Sequence, residues 1–272
     1  SQELRQLILY TQGEEHLQRV MKDLETRFKV VCKVVEAKIP YRETIRKSAR
    51  SSYRHKKQSG GAGQFADISL MVEPYYEGMP DPPSEFNVRG VEEIDLKWGG
   101  KLVFCNCIVG GVIDTRFMPS ILKGIMEKME NGPLTGNYAR DIRVCIFDGS
   151  MHSVDSNDAA FKMAASHAFS QAFLDANPLL LEPMYEINII LPGDYTGSVV
   201  SDLSTRRAQI QGMDADGNMQ VIKALAPLAE IQRYSRHLQS ITQGRAVYQM
   251  RYASYENVPK NIEESLLHLE EA

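Results

Sequence analysis

The order of apolar patterns between residues 184 and 258 restricts the fold most. "MYEINIIL" alternates apolar and polar side chains as a strand does, and "GDYTGSVVSDLSTRR" reads as a short helix. "AQIQGM" and "MQVIKALA" are two further strands flanking a "DADGN" turn. A helix follows Pro227, whose ring suits a first turn, and it places Leu228, Ile231, Leu238 and Ile241 on one side. "RAVYQMRYASY" closes the set. Strand–helix–strand–strand–helix–strand is the ferredoxin-like order, a split βαβ repeat. The order defines architecture alone, because such folds host many functions.

Two segments precede this unit, and the chain as a whole is of the α+β class. Residues 1–46 begin with the strand-like "LRQLILYT", followed by the amphipathic helix "GEEHLQRVMKDLETRF" with Leu17, Val20, Met21, Leu24 and Phe28 on one face. Glu14 and Glu15 lie in its first turn, where the helix dipole favours negative charge. "KVVCKVVEAKI" is dense in β-branched residues and predicts a strand ending at Pro40, so this segment reads as half of a small α+β domain. In residues 47–183, strands are predicted at 65–73, 101–109 and 140–147. Helices are predicted at "PSILKGIMEKMENG" and through "AAFKMAASHAFSQAFLDA", where Ala160, Ala164, Ala168 and Ala172 permit close approach to a sheet. The acidic, Pro- and Gly-rich stretch 78–100 predicts a surface excursion with a short hairpin of its own. Residues 184–258 form the ferredoxin-like unit, and 259–272 a terminal helix expected to pack on the central domain.

Charge is segregated within a chain of formal net charge −4. Between Arg42 and Lys57 seven Lys or Arg residues face one acid, Glu43, whereas from Glu73 to Asp95 seven acids face only Arg89. Such segregation lets one face meet a polyanion while the molecule stays acidic overall, although a solvated strand face is the simpler meaning of the same charges. No apolar run is long enough to span a bilayer, and no leader is read at the start, so a cytoplasmic location is expected. Cys32, Cys105, Cys107 and Cys145 provide neither a disulfide framework nor zinc-ligand spacing, and reduced buried thiols are expected.

No catalytic, metal or cofactor site is read in the chain. The string G-x-x-x-x-G-K-[ST] of a phosphate-binding loop is missing, and "GGAG" is followed by a strand pattern rather than a helix, which excludes a dinucleotide fingerprint. His16 has Val20 rather than a ligand at i+4, and "DGSMH" lacks the strained elbow of a serine nucleophile. Two polar bends remain, "HKKQSGGAGQ" and "DGSMHSVDSND". Lysines beside a glycine-rich turn suit phosphates, and Gln58 and His152 suit bases or 2′-hydroxyls in the shallow groove of an RNA helix. Spacing alone favours two solvent-exposed turns without a ligand.

A set of ordered motifs bears on that choice: "YRETI", "KKQSGGAGQFA", "GGVI", "GPLTG", "DGSMHSVDSNDAAFKMAAS", "LLEPMYE", "DLSTRR", "PLAE" and "SITQGRA". In this order the chain resembles the C-terminal half of translation elongation factor G, from the end of domain III through domains IV and V. The resemblance implies a partial ferredoxin-like domain III, a central domain IV of the α/β sandwich type seen in the second domain of ribosomal protein S5, and a ferredoxin-like domain V. It implies a monomeric factor whose domain IV enters the decoding A site of the ribosome's small subunit, contacts the tRNA–mRNA duplex and promotes its movement. The tip residues implied are Lys56, Lys57, Gln58, Ser59, Gly60, Gly61 and Gln64 in one loop, and Ser150, His152 and Asp155 in the other. Arg206, Arg207 and Arg245 are the implied contacts to large-subunit RNA near the stalk base. GTP and Mg²⁺ belong to the N-terminal half of the family, which these residues do not include.

The excursion at 78–100 is longer than the family pattern, Ala208 replaces a glycine after the arginine pair, and Tyr10 to Gln12 replace "GMG", as in a divergent paralogue. A ribosomal protection protein of the tetracycline-resistance type and a non-translocating RNA-binding module are the alternative functions.

Overall fold

The computed structural model describes residues 6–9, 11, 13–57 and 63–270, in two units divided between Pro40 and Tyr41. In the first unit, helix α1 (Glu14–Phe28) follows Gly13 and ends where Lys29 turns left-handed at φ 57°, its N–H bonding to the Leu24 carbonyl. The predicted strand at 29–39 does not form, and Val31 and Val35 stand exposed. β-Branched residues favour a strand only where a neighbouring strand takes up their backbone groups. Here Lys38 instead donates its N–H to the side chain of Gln6 at 3.0 Å. Residues 6–9 and 11 of the predicted first strand are likewise non-strand, and the rest of that stretch lies outside the described residues.

The second unit carries strands β1 (Arg42–Ile45), β2 (Ala49–Lys57), β3 (Gln64–Pro74), β4 (Gly90–Asp95), β5 (Lys101–Asn106), β6 (Tyr138–Ala139), β7 (Ile142–Ser150), β8 (Pro178–Pro192), β9 (Gln209–Asp216), β10 (Met219–Pro227) and β11 (Val247–Asn257). Its helices are α2 (Met118–Met129), α3 (Asp158–Asp175), α4 (Thr196–Thr205), α5 (Leu228–Ile231), α6 (Tyr234–Ile241) and α7 (Lys260–Glu270). No described helix is long and apolar enough to cross a membrane.

The central sheet runs β2-β3-β7-β5-β4, antiparallel except for the β5–β7 pair. Helices α2 and α3 cover one face. The small-residue pattern read from α3 does what its size allows: Ala160, Ala164, Ala168 and Ala172 are fully buried, and Ser51 on β2 donates to the Ala168 carbonyl at 2.6 Å. Phe161, Phe169 and Phe173 fill the space between, each contributing roughly 1.5–3 kcal/mol by burial. Where α2 meets α3, a Cβ on Gly124 would lie 2.3 Å from the Lys162 carbonyl oxygen, so glycine sets the separation there.

The 78–100 excursion covers part of the other face. It delivers β4 to the sheet edge against β5 and buries Phe86 among Met71, Val103 and three cysteines. Arg50 on β2 pairs with Glu85 and lies 5.0 Å from the Phe86 ring and 5.7 Å from that of Phe147. Arg143 bonds the Pro80 carbonyl at 2.7 Å and Glu73 at 2.8 Å.

The second sheet contains the ferredoxin-like order, β11-β8-β10-β9, all antiparallel, with α4, Ile231 of α5 and α6 closing a core of Ile187, Ile189, Leu191, Ile222 and Leu238. It differs from the expected unit at its start. Strand β8 begins at Pro178 and runs unbroken to Pro192, so the expected boundary between 183 and 184 falls in mid-strand. Its first four residues pair with β1, which in turn pairs in parallel with β6. Residues 42–45 therefore belong to this sheet rather than to the first segment, whose expected end at 46 moves to Pro40. Helix α7 is tied to the same place, since the Leu180 N–H donates to Glu263 at 2.7 Å.

Beside β1 lies a buried carboxylate that joins two motifs far apart in sequence. Glu43 accepts from the Thr135 N–H, the Thr135 hydroxyl and the Asn137 N–H through Oε1, at 2.8, 2.8 and 3.0 Å. Its Oε2 accepts from the Leu134 N–H at 2.9 Å. Burial pushes this carboxyl above its ordinary range, while the four donors act in the opposite sense. A Cβ on Gly132 would fall 2.4 Å from Oε2, so glycine there admits the carboxylate. "YRETI" and "GPLTG" are thus the two halves of one loop anchor.

Candidate nucleic-acid interface

The two polar bends lie side by side at one end of the central sheet. Strands β2 and β3 rise as a hairpin, with Lys56 opposite Phe65 and Lys57 opposite Gln64. Strand β7 rises next to β3, pairing Ser150 with Asp67, and the loop 151–157 leads into α3. Asn157 starts that helix by accepting the Ala160 N–H at 2.9 Å.

Several bonds stitch the bends together. The Phe65 N–H donates to the Asp155 carbonyl at 2.9 Å, and the Ser156 hydroxyl donates to the Phe65 carbonyl at 2.7 Å. The same hydroxyl accepts the His152 N–H at 2.8 Å. Gly63 lies so close that a Cβ there would stand 2.5 Å from Asp155 Oδ1. The start of β3 and the 151–157 loop are therefore tied to each other through their backbones. Within the hairpin stem, His55 Nε2 and Gln64 Oε1 are 2.9 Å apart.

His152 is exposed, with its ring 6.3 Å from that of Phe65. The N–H groups of Val154 and Asp155 point at its Nδ1 from 3.3 and 3.2 Å. A nitrogen that accepts carries no proton, so the neutral ring bears its proton on Nε2. Asp155 Oδ2 stands 3.4 Å from the same Nδ1. The fold thereby presents one outward donor at the tip.

Lys56 and Lys57 are exposed at the top of β2, beyond the Arg54–Asp67 ion pair of 2.7 Å. Gln64, Ser150 and Asp155 are partly buried around the junction. Gln58, Ser59, Gly60 and Gly61 lie outside the described residues.

The three arginines expected to meet RNA elsewhere divide differently. Arg206 pairs with Asp202 at 2.9 Å and bonds the Glu230 carbonyl at 3.1 Å. Arg207, in the left-handed region at φ 56°, grips both oxygens of buried Glu182 at 2.6 and 2.9 Å and reaches Glu230 at 3.0 Å. These two guanidinium groups hold α4 and the start of α5 to β8, which is a structural task. Arg245 is exposed, 6.0 Å above the Tyr195 ring, and is the one of the three whose geometry leaves it open to a ligand. Sequence reading missed the partner of Arg207, because Glu182 lies 25 residues away and its burial is invisible in local pattern. It also missed Ser156, whose only local signal is its place in a Ser/Asp/Asn cluster.

The chain is similar to known proteins across both sheets. The family model for elongation factor G domain IV matches residues 37–80 and 87–177, and that for the elongation factor G C-terminus matches 179–266. Residues 81–86, which include Glu85 and Phe86, fall in the gap of the first match. A crystal structure of a protein from Thermus thermophilus superposes with a TM-score of 0.84 at 33% identity, over 99% of this chain. The chain spans 37% of that protein's length.

Proposed function

This chain belongs to the elongation factor G family, and on that premise we propose that its central domain is the part of a ribosomal translocation factor that contacts RNA. The observation that carries the reading is the mutual bracing of the two bends, through Phe65, Asp155, Ser156 and Gly63, at the far end of a rigid sheet. In this reading the tip enters the decoding A site, the Nε2–H of His152 donates to the codon–anticodon duplex, and Lys56 and Lys57 meet phosphates. The contribution is positioning: a stiff arm ending in oriented donors occupies the space behind the moving duplex and opposes its return. Arg245 supplies a contact to large-subunit RNA near the stalk base, and the intact factor acts as a cytoplasmic monomer. GTP and Mg²⁺ are handled by the family's N-terminal domains, and no residue of this chain is assigned a role in hydrolysis.

His152→Ala in the full-length factor is expected to slow single-round translocation about tenfold, the equivalent of one good hydrogen bond lost. Stability should change by no more than about 0.5 kcal/mol, since the ring is exposed. A stopped-flow assay with GTP and with a non-hydrolysable analogue reads the effect, and an unaltered rate would refute the assignment. Replacing Lys56 and Lys57 together by serine should flatten the dependence of log ribosome affinity on log salt by roughly 1.4–1.8, two phosphate contacts at about 0.7–0.9 each. An unchanged slope would remove the lysines from the interface.

A further inference from the structure

The face of the central sheet turned away from α2 and α3 holds three thiols in one cluster. Cys105, Cys107 and Cys145 are all buried and all free. Cys105 and Cys145 are register partners on the adjacent parallel strands β5 and β7. Cys107 follows two residues later, with its N–H bonded to the Ile146 carbonyl at 2.8 Å, so it lies diagonally beside Cys145. All three belong to one buried cluster, in which the Cys107 thiol can donate to the Cys105 carbonyl at 3.9 Å.

The roof over this cluster is Phe86, within the 81–86 segment that the domain IV match skips. The segment is latched by the Arg50–Glu85 ion pair, whose side chains are both more than half exposed, and by the bond from Arg143 to the Pro80 carbonyl. A weak latch over buried thiols admits small reagents by local opening without global unfolding.

We propose that these thiols form a peroxide-sensitive dithiol site, closing a disulfide between Cys145 and one of its two neighbours. Thiolate at Cys105 or Cys107 attacks the peroxide O–O bond, giving a sulfenic acid and releasing water after proton uptake. The Cys145 thiol then displaces the second oxygen as water. Two thiols are oxidised, one hydrogen peroxide is reduced, and two waters leave. Contact with the Cys145 thiol lowers the Cys105 and Cys107 thiols toward ionisation, whereas the same neighbours and burial hold the Cys145 proton more firmly. That division suits attack by a neighbour and resolution by Cys145. Cys107 is the better partner on geometry, because it lies beyond the end of β5, whereas Cys105 is held by the β-ladder on both sides. The site does not depend on the translocation reading.

The full 272-residue chain carrying Cys32→Ser, which removes the exposed thiol, is treated with hydrogen peroxide under native conditions and digested without reduction. The expected product is an internal crosslink from Cys145 to Cys107 or Cys105, with loss of two hydrogens and reversal by dithiothreitol. Glu85→Ala should speed crosslinking by up to about fivefold, the most that an exposed ion pair contributes to closing the latch. Circular dichroism of each variant before treatment shows that it is folded. Thiols that stay reduced in folded protein, that oxidise only to sulfinic or sulfonic acid, or that crosslink only at the rate of global unfolding would overturn the proposal.

Discussion

Arg207→Ala is expected to destabilise residues 41–272 by about 3–5 kcal/mol, the cost of leaving a buried charge without its partner. Glu182 is only 2% exposed, and Arg207 provides both bonds to its carboxylate oxygens. With the guanidinium removed, the buried carboxylate loses its charge partner and both of these bonds, and stability falls. Arg207→Lys should fall in between, because an ammonium cannot hold two oxygens in the same plane. Urea denaturation of the variants reads these values. The companion Glu182→Gln separates the pair from its surroundings: in a double-mutant cycle the two losses should be far from additive. A loss below about 0.5 kcal/mol for Arg207→Ala would place the arginine among ordinary surface residues and would reopen its expected role as an RNA contact.

Glu43→Ala should have a comparable effect through a different cause. The substitution strips the acceptor from three backbone N–H groups and one hydroxyl in the 134–137 loop, beneath a fully buried site. Each orphaned donor costs about 1–3 kcal/mol, partly relieved if water enters, so a total of about 3–5 kcal/mol is expected. Glu43→Gln should cost less, about 1–3 kcal/mol, because its amide oxygen can replace Oε1 while the amide nitrogen faces the Leu134 N–H. Hydrogen exchange offers a sharper readout than the unfolding midpoint. The amides of Leu134, Thr135 and Asn137 should lose protection selectively in the alanine variant. Unchanged exchange at all three would mean that the carboxylate does not anchor the loop.

These two anchors also mark the limit of what the sequence reveals. Local patterns identified α1, α2, α3 and the ferredoxin-like order, because each is written in a period of 3.6 or 2 over enough residues to be seen. They failed at 29–39, where β-branched composition announces a strand but the described residues form none and Lys38 bonds the Gln6 side chain instead. They also failed at β1, four residues whose partners lie at 138–139 and 178–181. At the candidate interface, residue types alone left the two bends as unrelated turns, and the ordered motifs brought them together. No local rule announces that Ser156 bridges His152 to Phe65, or that Arg207 is satisfied inside the protein, since both depend on pairings across dozens of residues.

The continuity of β8 has an evolutionary corollary. Where two modules are joined by a loose tether, insertions and deletions at the junction are cheap. Here a single added or lost residue near 182 would invert the pleat of everything after it, turning Ile187, Ile189 and Leu191 outward and Asn188 and Ile190 inward. A change of length at this junction is therefore expected to cost far more than a change of composition on either side of it.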